Sequence, residues 1–71
     1  MPDTLDAVHQ RAQLALASSP ISQIRDLHVE YADELLLISG RVASFYHKQL
    51  AQEIVRSVAD GTQVVNSVDV D

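Results

Sequence analysis

The stretch Leu35-Leu36-Leu37-Ile38-Ser39-Gly40-Arg41-Val42, followed by Ser44 and a long amphipathic run, decides the fold. Strand side chains alternate with period two. Leu36, Ile38, Gly40 and Val42 therefore fall on one side and Leu35, Leu37, Ser39 and Arg41 on the other. Both sides carry apolar residues, yet a chain of 71 residues has room for one core. At that length folding removes only about 60% of the unfolded surface from water, and self-association is one way to compensate.

Working outward, Leu27, Val29 and Tyr31 alternate with His28 and Glu30, and Ala32-Asp33-Glu34 supplies a polar turn, so the two apolar runs read as a hairpin. Ser44 caps a helix whose stripe is Tyr46, Leu50, Ala51, Ile54, Val55 and Val58, while Gln49, Gln52, Glu53 and Arg56 face water. Asp60-Gly61 ends it, with Gly61 suited to the left-handed position past a helix C-terminus. Val64, Asn66, Val68 and Val70 then alternate as a last strand. Upstream, Asp3 or Thr4 caps a helix over about residues 4–17, with Leu5, Val8, Ala12, Ala15 and Leu16 at helical spacing and Ser18-Ser19-Pro20 as its stop. The order is α-β-β-α-β. The fold class is α+β, a two-layer sandwich with both helices on one face of a three-stranded sheet, because right-handed β-α-β crossovers place them there. The whole chain, 1–71, reads as a single domain.

Composition narrows the functions. Ten acidic against five basic side chains give a net charge of −5, which repels polyanions, so nucleic acid is excluded as a partner and anionic lipid is disfavoured. No Cys is present, which removes disulfides and thiolate metal sites. The N-terminal Met1-Pro2-Asp3-Thr4 lacks the basic region and apolar core of a secretory signal. The expectation for the chain as it stands is a cytoplasmic location, or the periplasm or envelope if it is a fragment of a longer protein.

The residues from Ile24 to Val70 resemble the BON domain, a bacterial module named after an osmotically inducible protein and nodulation proteins. The resemblance is carried by Leu27-x-Val29, Leu36-x-Ile38-x-Gly40-x-Val42, Ser44, Ala51 and Val64-x-Asn66-x-Val68-x-Val70. The sequence departs from the family pattern in two places. The turn at Ala32-Asp33-Glu34 lacks the usual glycine, and Gly61-Thr62-Gln63-Val64 carries one extra residue, which leaves the register of the last strand open. The resemblance implies a non-catalytic binding module that associates with membranes or other envelope components, and it transfers no catalytic residue.

Sites for chemistry are sparse. Gly40 reads as structural, its missing side chain letting the second helix approach the sheet; a phosphate cradle would need further glycines. His9, His28 and His47 lack ligand partners at helical spacing, so no metal and no cofactor is expected. His47 reads as a partly buried histidine bonded to backbone. Ser39 sits inside a strand rather than on a nucleophile elbow, and Asp33-Glu34 reads as a solvated turn. The chain is not read as an enzyme.

The outer sheet face is the exception. Leu35 and Leu37, joined by Val65 if the register allows, stand on the side away from both helices, and a contiguous apolar group on a flat sheet marks a contact. Arg41 and Glu30 form its polar rim. Phe45 falls at the angle of Gln49, Gln52 and Arg56 rather than with the core stripe, so it is either exposed or folded back over the sheet end. Two readings follow. The chain mediates protein interaction or forms a weak homodimer through this face. The alternative is a peripheral phospholipid-binding module that inserts Phe45, Leu35 or Leu37, against which the scattered Arg25, Arg41, Lys48 and Arg56 speak.

Overall fold

The computed structural model describes residues 4–71, with side chains from Ala7 onward. In order the elements are helix α1 (Thr4–Ala17), a short helix α2 (Ser22–Arg25), strands β1 (His28–Ala32), β2 (Leu35–Ser39) and β3 (Arg41–Val42), helix α3 (Phe45–Val58), and strands β4 (Gln63–Asn66) and β5 (Asp69–Val70). The caps proposed at Asp3 or Thr4 and the burial of Leu5 lie outside the described residues and side chains.

Three strands form the main sheet in the order β1-β2-β4. β1 and β2 are antiparallel, with Val29 opposite Ile38 and Glu30 opposite Leu37. β4 runs parallel to β2, as a β-α-β unit requires, with Leu36 opposite Val64 and Leu37 opposite Val65. The extra residue before Val64 is thus absorbed in the loop, and Val65 keeps the face expected for it.

Both long helices cover one side of this sheet: α1 packs on α3 and β1, and α3 on β4. The fold is α+β. The core between the layers combines Val8, Ala12 and Leu16 of α1, Val29, Leu36 and Ile38 of the sheet, and Ala51, Val55 and Ala59 from α3 and its end. Burying side chains of this size contributes roughly 1.5–3 kcal/mol each for the larger ones.

Four expectations are corrected. The expected single strand from Leu35 to Val42 breaks at Gly40, where φ is +132°, and continues as β3, which pairs in parallel with β5. Gly40 is also not the contact point of the second helix. A Cβ built there lies 2.6 Å from Leu27 Cδ2 and 3.5 Å from Leu27 Cα, so the glycine makes room for the residue that leads into β1. The last strand is likewise two pieces, because Val68 turns into the core at 1% exposure while the Val68 N–H donates to Asn66 Oδ1. Tyr46, assigned to the buried stripe of α3, is 68% exposed, while Ala51 and Val55 of the same stripe are fully buried.

Helix α2 has no counterpart in the sequence reading. Its four residues are too few to show periodicity. They are held by Ile24, which is fully buried, by Ser19 Oγ accepting from Ile21 N at 3.1 Å, and by Arg25 Nη1 donating to Ser19 O at 3.0 Å.

The turns follow local chemistry. Asp33 (φ 52°) and Glu34 (φ 63°) form a two-residue hairpin turn in which both residues are left-handed, the signature of type I′, which suits Gly far better than Glu. Ser44 caps α3 through Oγ, which accepts from His47 N at 3.2 Å. Past the helix end Asp60 (φ 53°) already occupies the left-handed region, and Gly61 (φ 87°) follows in it.

Candidate binding surface

The sheet face opposite the helices is assembled by the pairing. Glu30, Leu37 and Val65 form one row across the three strands, and Ala32, Leu35 and Gln63 the next. Leu35, Leu37 and Val65 are half-buried by their neighbours, with apolar groups at the centre and His28, Glu30 and Gln63 exposed around them. His28 Nε2 lies 3.7 Å from Glu30 Oε1 on this rim.

Of the other two candidate contact residues, Arg41, expected on the rim of this face, sits elsewhere, and Phe45 lies on the helix layer. Arg41 lies beyond the break at Gly40, where its Nε is 3.5 Å from Asp71 Oδ1 in an exposed ion pair, a contact worth about 0–1 kcal/mol. Phe45 is 74% exposed on the helix layer. Its expected helical face is the one it occupies: it lines a cleft of about 300 Å³ with Lys48, Gln49, Gln52 and Asn66. A second cleft of about 460 Å³ continues from Gln52 along Arg56, Gly61, Thr62, Gln63 and Val64.

Sequence reasoning missed the side chains that close the β1 edge. Gln13 of α1 donates from Nε2 to Leu27 O (3.1 Å) and accepts at Oε1 from Val29 N (2.9 Å), while His9 Nε2 donates to Val29 O at 2.6 Å. Two side chains thus stand in for a neighbouring strand. The only hint in the sequence is that His9 and Gln13 are four apart and share a helix face. The pair differs from His47, whose buried Nδ1 has no hydrogen-bond partner among the described residues, so the backbone bond expected for that ring nitrogen is not made. The His47 ring lies against Tyr46, with centroids 5.7 Å apart.

Among the described residues no three His, Cys, Asp or Glu side chains converge, and no helix is long and apolar enough to cross a membrane. What the geometry offers is surface: an open sheet face with an apolar centre, an exposed aromatic pair, and a cleft beside β4.

Comparison with curated proteins gives no match. The BON domain family matches residues 5–71, which takes in α1 as well as the Ile24–Val70 segment that carried the resemblance. That family consists of non-catalytic modules that bind phospholipids or proteins. The chain, with its α-β-β-α-β core and its match over nearly the full length, belongs to the BON domain family.

Proposed function

We propose that this BON domain is a protein-interaction module whose contact surface is the open face of the sheet, used for weak self-association. The carrying observation is the row Glu30–Leu37–Val65 beside Leu35, apolar at its centre and turned away from both long helices. Self-complementary patches of this kind meet across a two-fold axis. Because Leu35, Leu37 and Val65 are already half-buried, the area left to hide is modest, and the dimer is weak, with a Kd in the range of about 0.1–1 mM. Arg41, tied to Asp71, stands outside the contact.

Sedimentation equilibrium of the wild type and of Leu35→Thr/Leu37→Thr tests this reading. The wild type shifts toward dimer with concentration, and the double variant stays folded and monomeric. A double variant that associates as the wild type does would refute it.

One observation favours a second reading. Phe45 and Tyr46 are neighbours, 74% and 68% exposed, on the first turn of α3, with Lys48 close by. That is the composition of a peripheral phospholipid contact. The net charge of −5 opposes it, because repulsion from an anionic surface precedes insertion. Co-sedimentation with anionic vesicles at physiological salt, abolished by Phe45→Ala/Tyr46→Ala, would establish the second reading over the first.

A further inference from the structure

The two edges of the main sheet are treated differently. On β1 the outward backbone groups of Val29 are taken by Gln13 and His9, so no further strand can pair there. On the opposite side, Ser67 N donates to Ile38 O, Asp69 N to Gly40 O and Asp71 N to Val42 O. The odd-numbered residues therefore face β2 and β3, and by strand alternation the N–H and C=O groups of Val64 and Asn66 point away from the sheet. Val68 N–H is capped by Asn66 Oδ1, which leaves a short edge at Val64 and Asn66. Gln63, Val64, Val65 and Asn66 include no charge and no proline, the usual means of blocking such an edge.

The edge runs beside α3, and the clefts between them hold two cations. Lys48 lines the cleft at Asn66, and Arg56 lines it at Val64. Of the five basic side chains, Arg25 is engaged with Ser19 O and Arg41 with Asp71; Arg11 on α1, Lys48 and Arg56 make no ion pair among the described residues, and the last two flank this edge. Asn66 Nδ2 donates to Lys48 O at 2.8 Å, which fixes the strand against this part of the helix.

We infer that β4 accepts an extended acidic peptide as an additional strand, whose acidic side chains on the helix side meet Lys48 and Arg56. Eight helical residues separate the two cations, about 12 Å along the axis. Acidic residues four apart on a strand are about 13 Å apart, so one peptide reaches both. The side chains that alternate with these point to the other face, where valines extend the apolar row at Val65. A second copy of the chain is a poorer occupant: antiparallel pairing of β4 with itself would set the two copies' Lys48 and Arg56 against each other on one side of the joined sheet. The edge is distinct from the open sheet face, although a bound peptide would lengthen the apolar row of that face beyond Val65.

The test uses the wild-type chain and a synthetic ten-residue peptide in which valines alternate with hydrophilic residues, two of them glutamates four positions apart. Backbone amide spectroscopy with hydrogen exchange reads the outcome. On saturation, exchange at Val64 and Asn66 slows at least tenfold while Val29 is unchanged. A peptide with lysines in place of both glutamates, and one N-methylated on the amides that face β4, each bind at least tenfold more weakly. Lys48→Glu/Arg56→Glu loses binding to the same extent, and raising the salt weakens it in the wild type. Equal binding of all three peptides, or shifts confined to Leu35, Leu37 and Val65, would overturn the inference. So would slowing of Val64 and Asn66 by protein concentration alone, which would identify a second copy as the occupant.

Discussion

Replacing Gly40 by alanine should cost about 2–4 kcal/mol, from two separable causes. At φ +132° a residue with a Cβ is held in a sparsely populated region, which costs about 1–3 kcal/mol. The new Cβ would also stand 2.6 Å from Leu27 Cδ2, well inside the roughly 3.5–4 Å of favourable carbon contact. Leu27 is buried at 2% exposure, so its side chain has little space to retreat, and overpacking of this kind costs about 1–3 kcal/mol. The reduced freedom of the unfolded chain returns about 0.5–1 kcal/mol. Against a total of about 4–11 kcal/mol for 71 residues the loss is large. Urea denaturation measures it, and a cycle with Leu27→Val divides it. Valine lacks the colliding δ-carbon, so in that background the Gly40→Ala penalty should fall by about 1 kcal/mol or more. Gly61→Ala is the control: φ is +87° but nothing lies within 4 Å of the added Cβ, so only the backbone cost of about 1 kcal/mol applies. A Gly40→Ala variant within 0.5 kcal/mol of wild type would refute the reasoning, and a penalty unchanged by Leu27→Val would refute its steric half.

Glu34→Gly should stabilise the domain by about 0.5–1 kcal/mol in urea denaturation, since φ 63° strains glutamate and suits glycine. Gln13→Ala should destabilise it by about 1–3 kcal/mol, leaving Val29 N–H and Leu27 O without their partner, with faster amide exchange at Val29 as the specific sign. Ser44→Ala should lose about 1 kcal/mol with the cap on His47 N. Self-association should tighten as salt is raised, because two chains of −5 repel and the repulsion is screened, a trend read by sedimentation at low and high ionic strength.

The elements that were legible in the sequence are those long enough to repeat. α1 shows its register through Val8, Ala12 and Leu16, and β2 through Leu36 and Ile38. Family resemblance and periodicity point to the same element order, and alternation alone puts Leu35 and Leu37 on one face, where the pairing of Leu37 with Val65 adds the third residue. What stayed hidden depends on contacts distant in sequence or on backbone angles. Gly40 looks like one more strand residue until Leu27 is seen beside it. Tyr46 fits the helical stripe, but spacing alone does not say which end of the stripe is covered, and its 68% exposure shows that this end is not. His9 and Gln13 closing the β1 edge, and the free edge of β4 beside Lys48 and Arg56, follow from strand order, which alternation alone leaves open.

Methyl spectra of Leu35, Leu37 and Val65 recorded as the chain is concentrated from about 0.05 to 2 mM, a range that brackets the expected Kd, test the central claim most directly. The account predicts concentration-dependent shifts at these three residues, with Leu14 and the Phe45 and Tyr46 rings unmoved although all three are more exposed. Invariant methyls across that range, or shifts centred on Phe45 and Tyr46, would contradict it.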